Sequence, residues 1–437
     1  MVASWPDERY ERAAQPVSLA CLELLTAESR WIHRRVETID LLGHELVRRQ
    51  VTVDFTLPDT LLDELRIGGD GPWCVPLAIL RKRPLRNFDL REHDEWRAVL
   101  GASSGGPIAA GMIGAAARLA AAPTPLDLEI TALLERVARS DPPAALVAMA
   151  ELRGRADAAP QVATVLQDPT SAYFLTTFAE SYILIALLAE PHGRRILKYA
   201  YDEHVQFVRG RQRRASRLAR RLGWSALVID VAVPSAAHAA SYHAEVVVPE
   251  ELRLDAFILD ARTDELLSTD VERGVDRASL HAPRIGLDAE PVLVAALRAE
   301  RGELPTLAFA TSAVTALVLL AGAALADLGT RTAGSSVALL LAGSVLFTTA
   351  VARSGEHRLV RAIFAGPRWL LSIVAVAALA AAASVAFGAE DGARDAIWYA
   401  AAAISLISCL ALAVAFLRAA PLARRHVRPA ADEEPPT

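Results

Sequence analysis

Residues 101–105 read Gly-Ala-Ser-Ser-Gly and match the pattern G-x-S-x-G. That pattern puts a serine nucleophile on a strained turn between a strand and a helix. Ser103 would then be the attacking group of a serine hydrolase. No HGGG-type oxyanion segment and no regular strand–helix alternation accompany it, and a Gly/Ser connector accounts for the same residues. Nucleotide chemistry has less support still. There is no G-x-G-x-x-G, and neither Lys82 nor Lys198 follows a Gly-rich loop. His243 and Glu245 share one face of an expected strand, with His238 and His281 as neighbours. No H-E-x-x-H or paired-cysteine motif joins them, so they read as a polar sheet face and no metal or cofactor is assigned. Cys21, Cys74 and Cys409 are too few and too scattered for a disulfide framework or a zinc site.

The sharpest local feature is basic. Arg209, Arg211, Arg213, Arg214, Arg217, Arg220 and Arg221 crowd a stretch with no acid between Glu203 and Asp230. Phosphate groups are the natural partners of such a cluster, and at a membrane the nearest are anionic lipid headgroups. Only Lys82 and Lys198 among the 46 basic residues are lysine, so GC-rich codon usage explains part of the arginine excess. A solvated linker with codon-driven arginine is the competing reading. The overall net charge of −5 speaks against a nucleic-acid binder.

The elements that must position these groups divide the chain in two. Hydrophobic residues make up 53% of a chain that is still 22% charged, so the apolar residues are concentrated somewhere. They are concentrated in four uncharged stretches, at 305–326, 332–352, 369–389 and 396–417. A bilayer core takes about 20 helical residues. The absence of a polar stripe excludes ordinary soluble helices, and the spacing predicts a four-helix transmembrane bundle over 301–420. Arg353, Arg358, Arg361 and Arg368 lie between the second and third spans, and Arg418, Arg424, Arg425 and Arg428 follow the fourth. The positive-inside bias places both groups in the cytoplasm. The N-terminus, whose first 15 residues are polar and lack a signal peptide, then lies on the same side. The chain is expected in the cell (inner) membrane with both termini cytoplasmic. No Asp, Glu, Lys, Arg or His lies inside the spans, which argues against a pump. Their many Ala and Gly residues suit close helix packing or homo-oligomerisation.

The cytosolic part reads as α+β, two β-rich blocks flanking a helical block. A loose tail (1–15) precedes a β-rich block (16–100), with strands at 31–42, 45–57, 73–80 and 85–90 and a turn at 91–94. The alternation of Val51, Val53, Phe55 and Leu57 with Thr52, Asp54 and Thr56 marks a half-buried strand. A Gly-rich loop at 101–106 opens a helical block (101–190) with helices at 108–121, 126–139, 144–153 and 173–189. A second β-rich block (191–300) holds strands at 195–201 and 204–208 about an Asp202-Glu203 turn. Further strands follow at 226–233, 241–248 and 254–259, and 291–298 leads into the membrane. A disordered tail (421–437) ends the chain. Arg34-Arg35-Val36 resembles Arg194-Arg195-Ile196, and 55–61 resembles 246–252, which suggests a duplicated β block.

The Arg-Arg-Gln-Val-Thr-Val-Asp-Phe strand at 48–55, Phe88-Asp89-Leu90-Arg91 and Ser241-Tyr242-His243-Ala244-Glu245 resemble multi-pass membrane proteins of high-GC, actinobacterial-type bacteria. No activity is attached to that group, so the resemblance implies no site residues. The sequence as a whole points to a non-enzymatic binding, scaffold or sensor module anchored at the inner leaflet. Its expected partners are the bilayer, anionic headgroups and a protein. A serine hydrolase using 101–105 and a ligand-gated oligomeric pore stay open as alternatives.

Overall fold

The computed structural model describes residues 2–3, 7–43, 46–68, 70–207, 227–249, 252–260, 277–283, 285, 291–299, 303–326, 360, 364–387 and 389–417. The expected span at 332–352, the arginine cluster at 209–221 and the tail at 421–437 lie outside these residues.

The chain opens with β1 (Val2–Ala3) and the helix α1 (Asp7–Thr26), so the segment expected as a loose tail is ordered from Asp7. Ala14, Val17, Cys21, Leu24 and Leu25 bury one face of α1, and this packing holds a helix that its polar first turns conceal. A single turn, α2 (Glu28–Trp31), leads into the hairpin of β2 (Ile32–Leu41) and β3 (Leu46–Thr56). Next come β4 (Trp73–Arg81), β5 (Arg86–Glu92), β6 (Glu95–Trp96) and β7 (Val99–Leu100). His93 and Asp94, both at positive φ, turn β5 into β6.

The helical block follows as α3 (Ala102–Ala121), α4 (Leu128–Arg139), α5 (Pro142–Gly154), α6 (Pro160–Gln167) and α7 (Pro169–Glu180). Asp127 and Asp168 cap α4 and α7 by accepting the amides of Ile130 (2.7 Å) and Ser171 (2.8 Å). The Gly/Ser stretch expected as a loop forms the first turns of α3. The apolar run expected as one helix over 173–189 splits at Glu180 into α7 and the strand β8 (Ser181–Leu188). Apolar periodicity does not separate a buried strand from a buried helix, and residues 183–188 of β8 are all buried.

The remaining strands are β9 (Arg194–His204), β10 (Gln206–Phe207), β11 (Leu227–Ala232), β12 (Ser241–Val247), β13 (Leu252–Asp260), β14 (Arg277–Pro283) and β15 (Val292–Ala299). No turn interrupts β9 at Asp202-Glu203. Every residue from Arg194 to His204 pairs with β3, and Asp202 sits directly opposite Arg48. Residues 292–299, expected as a lead-in to the membrane, form β15, a strand paired on both sides.

These strands make three sheets. The first has the order β1-β7-β8-β4, the second β14-β12-β2-β3-β9-β5-β6 and the third β10-β11-β15-β13. The middle sheet draws strands from both β-rich segments, which therefore do not form two separate blocks. The arginine-containing repeat pieces belong to β2 and β9, which flank β3 on either side. One core holds α1, the helices α3–α7, the first sheet and half of the middle sheet's inner face, around Trp31, Phe55, Leu77 and Phe178. A second core lies between the other half of that face and the third sheet, around Ile39, Val47, Tyr242, Phe257 and Leu280.

Three described helices are long and apolar enough to cross a membrane, through Thr306–Ala324, Ala365–Ala386 and Gly392–Val414. They suit a membrane protein. Ala308, Leu371 and Leu412 pack in one layer. Leu319, Ala323, Ala377, Ala378, Ala381, Trp398, Ala401 and Ala402 pack in another. Early residues of the first two helices thus meet late residues of the last. The first two run parallel and the last runs antiparallel to both. Trp398 locks the second layer: its Nε1 donates to Ser384 Oγ (3.2 Å), and its ring lies where a Gly322 side chain would be.

Candidate functional site

The middle sheet's inner face should be apolar by the alternation of β2 and β3, yet charge interrupts it. In β2 the buried positions are Ile32, Arg35, Glu37, Ile39 and Leu41; in β3 they include Val47, Arg49, Val51, Val53 and Phe55. Arg35 and Glu37 are only 1% and 3% exposed. Three of the chain's seven tyrosines, Tyr199, Tyr201 and Tyr242, complete a buried hub around them.

The hub is held by directed contacts. Arg49 Nε and Nη2 both lie 2.5 Å from Glu37 Oε1, and Arg49 Nη1 donates to Glu203 Oε2 (2.8 Å) and to the Ala232 carbonyl (3.1 Å). The Tyr242 hydroxyl donates to Glu37 Oε2 at 3.0 Å. Arg35 donates to the Tyr199 hydroxyl (3.0 Å) and to the Leu77 carbonyl (2.6 Å). A bulge in the β4–β8 ladder at Leu77 explains the last contact, since it takes that residue out of the ladder register. Arg49 also lies over the Tyr201 ring, 5.6 Å from its centroid. The hub therefore ties the middle sheet to the first through Arg35 and to the third through Arg49.

Its electrostatics favour the charged pair. Burial opposes the charge on Arg49, but Glu37, Tyr201 and Glu203 outweigh it and hold its pKa well above the ordinary arginine value. Burial, reinforced by Glu37, raises Tyr242 well above the usual phenol range, and burial also raises Tyr199 and Tyr201. The phenols stay protonated; that of Tyr242 donates to Glu37, and that of Tyr199 accepts from Arg35. Each charged group has at least one hydrogen-bond partner, with Arg35 Nε left unpaired among the described residues, and the arrangement suits a rigid joint between layers.

A second ionic cluster closes the sheet's far edge. Glu92 sits between Arg195 (2.6 Å) and Arg97 (2.9 Å); burial opposes its charge, but the two arginines prevail and lower its pKa. On the outer face Arg48 pairs with Asp202 at 3.0 Å, and Arg194 hydrogen-bonds Asp54, holding its carboxyl below the ordinary range. His243 and His281 are direct cross-strand neighbours on that face, stacked with centroids 4.3 Å apart. Burial, then Arg34 and His281, lower the His243 pKa. Glu245 lies further along the same face, paired with Arg277 at 3.0 Å, and His238 ends the turn Pro234–His238. Among the described residues no group of three or more His, Cys, Asp or Glu gathers as a metal would require.

Ser103 lies in the first turn of α3, behind the two-residue strand β7. Its backbone is helical, and among the described residues the non-glycine positions at positive φ are Asn87, His93 and Asp94. The strained elbow of the hydrolase motif is thus not formed at Ser103. The arginines 209–221 fall outside the described residues, but their flanks are placed. β10 and β11 pair antiparallel through Phe207 and Ile229. Leu227 at the start of β11 pairs with Leu297, near the end of β15, and the first apolar helix begins at Glu303.

The third sheet is joined to the apolar helices twice. β15 runs into the first helix after three intervening residues. Val360 and Phe364, at the entrance to the second described helix, are buried in the core between the middle and third sheets. Sequence reasoning missed the hub and this plug. The hub had a signal: Arg35, Glu37 and Arg49 share parity with the apolar residues of their strands. The plug had none, because two apolar residues in an arginine-rich stretch of sequence carry no period. No protein-family model matches the chain, and no curated protein matches it.

Proposed function

We propose that the chain is a multi-pass inner-membrane protein whose N-terminal α+β region is a cytoplasmic binding or sensor module, and that it performs no catalysis. The observation that carries this reading is the double attachment of the third sheet, through β15 and through Val360 and Phe364. A simple tether needs one connection. Two connections to two parallel helices pass any change in the sheet's geometry to the bundle.

The same geometry supports four crossings. The first apolar helix leaves the module side at its start, and the parallel helix beginning at Ala365 starts on that side again. The uncharged run at 332–352, outside the described residues, has the length for the return crossing that this reading requires. The arginines of 353–368 and those after residue 417 then share the module's side, as the positive-inside bias requires of a cytoplasmic face. The flanks of the 209–221 cluster meet at the end of the third sheet nearest the first helix. That supports docking of these arginines on anionic headgroups, each worth about 1 kcal/mol near the surface.

Proximity labelling from a ligase fused to the N-terminus in native cells tests the reading. We expect labelled cytoplasmic proteins and a partner enriched over a version holding the spans alone. Labelling of proteins outside the cytoplasmic membrane, or no enrichment, would overturn it.

A further inference from the structure

The bundle is not apolar throughout. Ser312 and Thr315 on the first apolar helix are 0% and 1% exposed, and Ser405 and Ser408 on the last are 0% and 3% exposed. The antiparallel register is anchored at both ends, by Ala308 with Leu412 and by Gly322 against Trp398. Between those anchors Ser312 falls level with Ser408, and Thr315 with Ser405. Four buried hydroxyls thus fall at two adjacent levels near the middle of both spans, with the Leu371 layer on one side and the Trp398 layer on the other. Among the described residues neither Ser312 Oγ nor Ser405 Oγ has a hydrogen-bond partner.

In hydrocarbon an unsatisfied hydroxyl has no lipid partner to turn to. A buried water makes about three hydrogen bonds and is retained where several polar groups converge in a dry surrounding. A hydroxyl carries both a donor and acceptor lone pairs, and a neutral water molecule has the same balance.

We propose that the Ser312–Thr315–Ser405–Ser408 seam is an intramembrane binding site for water. The proposal rests on the membrane reading of these helices. A hydrated mid-depth seam makes the bundle more than an anchor, because the interface between the first and last helices is the place where it can admit polar molecules.

Water-edited solid-state NMR on the full chain in lipid bilayers, with labelled Ser, Thr, Val and Leu, tests it. We expect early magnetisation transfer from water to Ser312 and Ser405, while the outward-facing Val314, Leu317 and Leu320 stay dark. The paired substitution Ser312→Ala with Ser405→Ala should reduce transfer to Thr315 and Ser408 several-fold. Seam signals as dark as Leu317 in the wild-type chain would overturn the site and leave the membrane reading standing. Early transfer to Leu317 and Leu320 as well would overturn the membrane reading itself. The wild-type measurement does not depend on any variant folding.

Discussion

Replacing Glu37 with Leu tests whether the buried hub is a coupled unit. The substitution removes the acceptor for two Arg49 nitrogens and for the Tyr242 hydroxyl. Breaking a buried ion pair by deleting one partner costs about 3–5 kcal/mol. Here Arg49 keeps Glu203 and the Ala232 carbonyl, and Glu203 is 19% exposed and can draw water to the site. That places the ionic part near the lower bound. The stranded Tyr242 hydroxyl adds about 1 kcal/mol, for a total of about 4 kcal/mol. The companion substitutions complete a cycle: Arg49→Leu alone should cost a similar amount, whereas E37L/R49L together should lie well below the sum, with a coupling of at least about 2 kcal/mol. Y242F alone should cost about 1.5 kcal/mol. Amide hydrogen exchange along the β3–β9 ladder in the full chain reads these energies locally and does not require whole-protein two-state unfolding. Additive single losses, or a loss under about 1 kcal/mol for E37L, would show that the carboxylate and guanidinium are solvated and that no joint exists.

Three further outcomes are expected. Gly322→Ala drives a Cβ into the Trp398 ring and should loosen the bundle by about 1–3 kcal/mol, seen as a lower melting temperature of the helices with the β3–β9 amides still protected. Lys82 donates to the Val137 and Ser140 carbonyls at the end of α4, and burial, opposed by Asp141, lowers its pKa to about 8. The folded state then binds fewer protons than the unfolded one between about pH 8 and the ordinary lysine value, so the wild type should gain stability relative to K82M as pH rises through that window; a constant difference would contradict the burial argument. Ser103→Ala should leave fluorophosphonate labelling of the purified chain unchanged, whereas labelling that depends on Ser103 would restore the hydrolase reading.

What could be read in advance depended on how far each signal travels along the chain. The apolar spans at 305–326, 369–389 and 396–417 are local and coincide with described helices. The alternation around Val51 placed β3 with its buried side correct, because a half-buried strand carries its own period. The run at 173–189 misled because β8 is buried on both faces and loses that period. The expected turn at Asp202-Glu203 misled for the opposite reason: two acids look like loop residues until Arg48 and Arg49 come across from β3. The hub follows the same rule. Its charges are intelligible only once β2, β3, β9 and β12 lie side by side, and they come from segments about 200 residues apart.

The order of the middle sheet also sets a timetable for synthesis. Its strands run from Ile32–Leu41 to Arg277–Pro283, so the sheet cannot close until nearly all of the α+β region has left the ribosome. The first apolar helix begins about 20 residues after the last of those strands. Closing non-local pairs is slow, whereas the emerging apolar helix is already a substrate for insertion. Targeting to the membrane and completion of the sheet therefore overlap in time. A nascent chain halted between β12 and β14 would leave the edge of β12 unpaired, an open template for pairing with another chain.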